Sequence, residues 1–305
     1  MMYDVVIIGS GIVGLSAAVY SGRLELKSLV IGKEKGGTIT KTHIVENYPG
    51  IKSISGPDLA DKMLEHARDY KTEIKNEEVL KIVQTGKSCF NIKTDKEEYS
   101  SKTILFCTGS EWKKLNVKGE REFANKGVHY CALCDGPLYK NKIVAIVGGS
   151  DSAAKDALLL SEHAKKVYII YRGEEIHPEP INLQRIKANK KIEVINSTNI
   201  KEVKGEKFVN SVILDKKYKG KENLELDGVF VAIGHIILSD LAKASGVKLN
   251  EKGEIKINHM TSETNIPGVF AAGDVTDKQF KQLITGVADG CTAAYSAYEH
   301  IQDSK

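Results

Sequence analysis

Short apolar runs that end in glycine alternate with longer mixed stretches along the chain, the pattern of strands exchanging with helices. The first run, Val5–Ile8, ends in Gly9-Ser10-Gly11-Ile12-Val13-Gly14 and passes into the small residues Leu15–Ala18, which predicts strand, turn and helix. Ser28–Ile31 predicts the next strand, before Gly32–Gly37. Lys81–Thr94 and Lys102–Phe106 alternate or run apolar as strands do, the second ending in the turn Cys107-Thr108-Gly109. The opening pattern then recurs: Lys142–Val147 as strand, Gly148–Ala153 as loop, Ala154–His163 as helix and Lys166–Tyr171 as strand. After about residue 240 the chain turns polar, then gives a strand ending in Gly273-Asp274 and a closing helix from roughly Gln282 to Ile301. Glu73–Glu78 and Lys216–Glu225, rich in lysine and glutamate, read as hairpin tips or loops.

The two glycine loops carry the first chemical signal. In a strand-to-helix turn, Gly9 permits the tight bend, Gly11 lets a pyrophosphate approach the backbone, and Gly14 allows close helix-to-strand packing. Exposed amides at the helix start then hold phosphate. Ser10 and Ile12 lie within this loop. Glu34 falls where a carboxylate receives a ribose hydroxyl, although a surface charge reads the same way. The second loop departs from the ideal, with Ser150 for the second glycine and Ala153 for the third. Its candidate binding residues are Gly148, Ser150, Asp151, Ser152 and Ala153, with Tyr171 and Arg172 at the strand end that inspects the adenosine ribose.

Composition sets the bounds. The 305 residues suffice for two domains, and 41% hydrophobic residues can fill two cores. A net charge of +4, carried by lysines interspersed with glutamates, describes a solvated surface and not a nucleic-acid patch. The apolar stretch Val5–Ile8 is too short for a signal peptide or a membrane span, so a cytoplasmic location is expected. Five cysteines with one close pair, Cys131-Ala132-Leu133-Cys134, point to catalysis or metal and not to a disulfide framework. A closed zinc site needs four ligands, and Cys89, Cys107 and Cys291 are isolated, so no metal is expected.

Taken in order, GSGIVG, EKGG (Glu34–Gly37), VENYPG (Val45–Gly50), CTG (Cys107–Gly109), YCALCDG (Tyr130–Gly136), GGSDSA, AIGH (Ala232–His235) and AAGDV (Ala271–Val275) make the chain resemble the low-molecular-weight thioredoxin reductases over essentially its whole length. The resemblance implies an α/β fold of two Rossmann-like dinucleotide-binding domains, three-layer ββα, the second inserted into the first. FAD would occupy residues 1–112 with 242–305, and the nicotinamide nucleotide would bind 113–241, which carries the CxxC. Gly9, Gly11 and Gly14 would take the FAD pyrophosphate, while Glu34, Gly36, Gly37, Thr38 and Asn47 line the cofactor. Asp274 and Gln282 would contact its ribityl and isoalloxazine parts, with Val79, Thr108, Gly109, Gly273, Lys281 and Leu283 completing the site. Ile233 and Gly234 join the nucleotide-binding residues of the inserted domain. Thr38 stands where the family commonly has glutamine, and Lys281 where it has arginine.

The resemblance also assigns a direction to the dithiol. Cys134 would face the flavin, Cys131 would attack the partner disulfide, and Asp135 would exchange protons; an N-cap aspartate is the alternative for Asp135. Both tasks require the inserted domain to swing about linkers near Trp112–Leu115 and Gly234–Asp240. The family's phosphate-gripping HRRxxxR is here Tyr171-Arg172-Gly173-Glu174-Glu175-Ile176-His177. Only Arg172 is kept, and Glu174 and Glu175 repel a 2′-phosphate. NADH is therefore expected over NADPH, or another reductant. The expected function is reduction of thioredoxin or a glutaredoxin-like protein by a homodimer. The competing readings are a flavin disulfide reductase or oxidase fed by ferredoxin or another non-NADPH donor, and a non-catalytic nucleotide-binding or zinc-stabilised regulatory protein.

Overall fold

The computed structural model describes residues 2–42, 45–86 and 89–304, apart from the Lys41 side chain. Residues 87–88, inside the stretch Lys81–Thr94 read as strand, lie outside the described residues.

In chain order the elements are β1 (Met2–Ile8), α1 (Ile12–Arg23), β2 (Ser28–Ile31), α2 (Gly56–Asp69), β3 (Glu73–Lys75), β4 (Val79–Gly86), β5 (Cys89–Thr94), β6 (Glu98–Phe106) and β7 (Ser110–Trp112). There follow β8 (Val128–His129), α3 (Ala132–Asp135), β9 (Ile143–Val147), α4 (Asp151–His163), β10 (Lys166–Ile170), α5 (Pro180–Ala188) and β11 (Ile192–Ile195). The chain ends with β12 (Ile200–Gly205), β13 (Val209–Tyr218), β14 (Lys221–Glu225), β15 (Gly228–Val231), β16 (His235–Ile237), α6 (Asp240–Ala244), β17 (Val269–Ala271) and α7 (Leu283–Asp303). These elements divide into two compact units, Met1–Glu111 with Ile236–Lys305, and Trp112–His235. The chain passes between them at β7 and β16, which pair as a two-stranded ribbon.

The first unit is built on a sheet of order β3-β2-β1-β6-β5-β4, with β17 added to β6. Both faces of β1 are covered, so it reads as an unbroken apolar run and not as an alternation. Val5 and Ile7 pack with Leu15, Ala18, Ala293 and Ala297 of α1 and α7. Val6 and Ile8 face the opposite way, toward Leu29, Ile92, Phe106 and Ile255. Small residues bring α1 and α7 together: a Cβ on Gly290 would stand 2.4 Å from the Val13 carbonyl oxygen, and Ser16 Oγ donates to the Val287 carbonyl at 3.1 Å.

The second unit stacks three layers. Its parallel sheet, β11-β10-β9-β15-β8, carries Val144, Ile146 and Phe230 toward Ala153, Ala157 and Leu160 of α4. The alternate residues Ala145, Val147 and Val229 meet Val203, Val212 and Leu224 of the antiparallel sheet β12-β13-β14. The α/β fold with Rossmann-type βαβ units and ββα layering is thus present.

Three element readings change. Lys81–Thr94, read as strand, is two antiparallel strands, β4 and β5, with Ile82 opposite Ile92. Glu73–Lys75, read as loop, is an edge strand parallel to β2, with Leu29 opposite Glu73. A short charged edge strand buries too little to leave an apolar signature. Helix α4 begins at Asp151 and not at Ala154, because Asp151 already takes the first helical position behind the N-cap Ser150. Lys216–Glu225 is a hairpin tip as expected, turning at Lys219 and Gly220 with φ of 48° and 83°.

Candidate active site and nucleotide loops

In the first unit, tight packing dictates the glycines. Gly9 has φ 113°, and a Cβ there would lie 2.2 Å from the Cys107 carbonyl oxygen; one on Gly14 would lie 2.0 Å from the Gly9 oxygen. Around Gly11, by contrast, the nearest atoms to such a carbon are 3.8 Å away. Helix α1 starts behind Gly11 with no side-chain cap and no acidic residue in its first turn. Its orphan amides and the positive end of its dipole are therefore suited to an anion.

The Glu34 turn closes on this loop. Gly36 N–H donates to the Ser10 carbonyl at 2.9 Å, Ser10 Oγ donates to the Glu34 carbonyl at 2.9 Å, and Gly11 bridges to Gly36. Gly37 and Thr38 open the 3₁₀ turn that follows, and buried Ile12 opens α1. Val79 follows Glu78, whose carboxylate pairs with Lys33 at 2.6 Å, which brings the start of β4 beside this turn.

A second group gathers at the start of α7. Asn47 Nδ2 donates to Gln282 Oε1 at 3.2 Å, although the two are far apart in sequence. Lys281 Nζ donates to the Asp274 carbonyl at 3.0 Å and to Glu254 Oε1 at 2.5 Å. Gly273 and Asp274 form a 3₁₀ turn beyond β17, and Leu283 is the first residue of α7. Thr108 Oγ1 donates to the Leu238 carbonyl, and Gly109 takes φ 70° with open space where a Cβ would lie. The sequence reading missed Glu254, since a lone glutamate in a polar stretch gives no signal of the lysine it will meet.

In the second unit, Cys131 and Cys134 form a disulfide with Cα atoms 5.3 Å apart. Cys131 caps the one-turn α3, and its Sγ accepts the Cys134 amide hydrogen at 3.1 Å. A donor held there stabilises negative charge on that sulfur once the bond opens, which favours the thiolate. Asp135 closes the turn. Its carboxylate lies 3.3 Å from Nδ1 of buried His129, another residue that the sequence reading passed over.

The second glycine loop is lined by its own neighbours. Gly148 takes φ 151°, and a Cβ on Gly149 would stand 2.5 Å from ring carbons of Tyr171. The His177 amide donates to the Gly149 carbonyl at 2.8 Å. Asp151 accepts from Lys155 Nζ at 2.7 Å, Asn182 Nδ2 at 2.8 Å and the Glu179 amide at 2.9 Å. The lysine and the asparagine hold its carboxyl down at about 2. Ser152 and Arg172 are exposed, Ala153 is buried, and Gly234 takes φ 101° beside the partly exposed Ile233.

Two glycine loops and a CxxC disulfide occur together in flavin-linked disulfide chemistry, and comparison with known proteins agrees. A family model described as pyridine nucleotide-disulphide oxidoreductase matches residues 3–290. The chain belongs to that family. It is 36% identical to a thioredoxin reductase of Bacillus subtilis, across 99% of this chain and 96% of the relative. The crystal structure of thioredoxin reductase from Streptococcus pyogenes matches with a TM-score of 0.93 and 34% identity, over 99% of both chains. A ferredoxin-flavin thioredoxin reductase from Clostridium acetobutylicum matches with a TM-score of 0.53 and 33% identity, again over 99% of both.

Proposed function

We propose that this protein is a thioredoxin-disulfide reductase that passes electrons from a reduced donor, through FAD held by the first unit, to Cys131 and Cys134 and on to a disulfide of thioredoxin or a glutaredoxin-like protein. The observation that carries the reading is the Cys131–Cys134 disulfide, with an amide already donating to Cys131 Sγ, in a chain similar to thioredoxin reductases over its full length.

The first unit suits FAD. The uncapped amides of α1 and the open side of Gly11 accept a diphosphate, and Glu34 stands at the turn bonded to that loop. In this reading Gly36, Gly37, Thr38 and Asn47 line the cofactor, and Asp274 with Gln282 meets its ribityl and ring portions. When bound, FAD would take up two electrons from the donor and supply them as a pair for reduction of the disulfide. The protein's own part is to orient it, to stabilise the Cys131 thiolate through the Cys134 amide, and to hold a proton at Asp135. Cys131 attacks the partner disulfide, and Cys134 resolves the mixed disulfide.

The second unit is assigned to the donor, and here a second reading has support. Tyr171 lies over Gly149, Asp151 is fully engaged, and Glu174 and Glu175 are exposed beside Arg172. Carboxylates there disfavour the 2′-phosphate of NADPH and suit NADH better. A donor of the ferredoxin type is the alternative, given the similarity to a ferredoxin-flavin enzyme. We assign the protein to the cytoplasm, as a homodimer, on cysteine usage and family resemblance; no described helix is long and apolar enough to cross a membrane.

Anaerobic titration of the yellow holoenzyme with NADPH, NADH and reduced ferredoxin, followed by oxidised thioredoxin, tests the whole reading. Flavin bleaching by one donor and recovery of colour on adding thioredoxin are expected. A colourless protein, or bleached flavin that thioredoxin leaves bleached, refutes it.

A further inference from the structure

Behind the dithiol lies a histidine for which the cysteine pair alone gives no reason. His129 ends β8, is 5% exposed, and stacks on Phe230 with ring centroids 5.3 Å apart. Its Nε2 lies 2.7 Å from the Tyr139 hydroxyl, and its Nδ1 lies 3.3 Å from Asp135 Oδ2. The contact at Nδ1 is close without being aligned as a hydrogen bond, so this nitrogen is buried with no hydrogen-bond partner. A buried polar atom left so is unfavourable, and a proton held there would face the carboxylate.

The remaining surroundings combine apolar side chains with two further ionisable groups, His163 and Asp227. Phe230 covers one ring face from β15, and Leu160 and His163 of α4 approach Gly136 just beyond Asp135. Asp227, which pairs with Lys142, also acts on Tyr139. Burial first, and the charges of Asp135 and Asp227 after it, push the Tyr139 hydroxyl well above its ordinary range, so it remains neutral.

We propose that Asp135 and His129 form one acid–base unit, in which His129 is a positioning residue that stores the proton Asp135 removes from Cys134. The proposal rests on the reading of Cys131 and Cys134 as the redox pair. Cys131 thiolate attacks a partner disulfide, making the bond from Cys131 Sγ to one partner sulfur and releasing the other partner sulfur as thiolate. The Cys134 thiol then gives its proton to the Asp135 carboxylate and attacks Cys131 Sγ. The Cys131–Cys134 bond forms, and the second partner sulfur leaves with its electron pair. With Nε2–H donated to the Tyr139 oxygen, the unshared pair of Nδ1 faces Asp135 and takes the proton onward, leaving an imidazolium–carboxylate pair. Two electrons have passed to the partner, and the proton is later lost to solvent.

The test mixes holoenzyme, its dithiol reduced and excess reductant removed, with 5,5′-dithiobis(2-nitrobenzoate) in a stopped-flow instrument. The first thiolate released reports Cys131 attack and the second reports closure by Cys134. In His129→Gln the second phase slows about tenfold near pH 6.5 while the first is unchanged, as expected for a lost base. That deficit closes above about pH 9, where a free thiol is already ionised. Slowing that is absent, or equal at every pH, overturns the proposal. If His129→Gln also alters the first phase, Tyr139→Phe decides by the same criterion, since it removes only the hydroxyl. A parent enzyme that releases no second thiolate refutes the redox-pair reading itself, whatever the variants do.

Discussion

The ring of Tyr171 lies across Gly149, so close that a Cβ on that glycine would stand 2.5 Å from Cδ2 and Cε2 and 2.6 Å from Cγ of the ring. A Cβ on Gly173 would meet the other edge of the same ring, 2.5 Å from Cε1. The tyrosine thus occupies the space beside the loop, and an arginine at position 173 has no room while it does. Replacing the outward carboxylates instead, Glu174→Arg with Glu175→Arg, is expected to tighten NADPH relative to NADH by about tenfold, the effect of one charge-assisted hydrogen bond. Apparent Kd values for both nucleotides at two salt concentrations check this; an unchanged ratio excludes a role for these carboxylates in nucleotide choice.

The amide donated to Cys131 Sγ predicts an asymmetry between the cysteines. Cys134→Ser is expected to trap a mixed disulfide with thioredoxin through Cys131, whereas Cys131→Ser traps little. Both variants lose turnover by at least about a thousandfold, since removal of either sulfur breaks the exchange. Non-reducing electrophoresis and mass spectrometry of the adduct identify the attacking residue.

Gly14→Ala places a carbon 2.0 Å from the Gly9 carbonyl oxygen, at the crossing of α1 with β1. The backbone must shift, at an expected cost of about 2–4 kcal/mol. Flavin retention should fall with it, because the same shift displaces the amides of the loop. Gly11→Ala, where the nearest atoms are 3.8 Å away, should leave the apoprotein melting temperature within a few degrees and act on cofactor affinity alone. Equal thermal shifts for the two variants contradict this.

Burial raises the Asp156 carboxyl to about 6, from 3.8 for the free group. The folded protein therefore binds this proton more tightly than the unfolded chain, and the group's contribution to stability falls as pH rises from about 4 through 6. Above that window its ionised form is a standing penalty on the order of 3 kcal/mol. Asp156→Asn is expected to raise the melting temperature of the second unit at pH 7.5 and to leave it nearly unchanged at pH 4. A decrease at pH 7.5 removes the case for a buried, unfavourable carboxylate.

Both glycine loops were legible because glycine there answers a hard steric demand, a carbonyl oxygen within 2.4 Å of the missing carbon at Gly9, Gly14 and Gly148 alike. The apolar strands were legible because β1 and β9 are covered on both faces. Edge strand β3 was not, since pairing on one side asks little of its side chains. Nor was the surround of Asp135: His129, Tyr139 and Phe230 stand on three separate segments and meet only after the second sheet forms. Asn47 and Gln282 were named through family likeness, but their mutual hydrogen bond is a product of the fold.

The pairing of β17 with β6, and the seat of α7 on α1, set the order in which the molecule can be made. During synthesis the first strands emerge early, yet their sheet lacks β17 and its packed helix α7 until residues 269–303 leave the ribosome. The segment Trp112–His235 holds all five strands of its own parallel sheet and can close while the earlier residues wait. The redox half thus matures inside an unfinished host, and truncations near the C-terminus should leave a folded dithiol unit attached to a first unit that never completes.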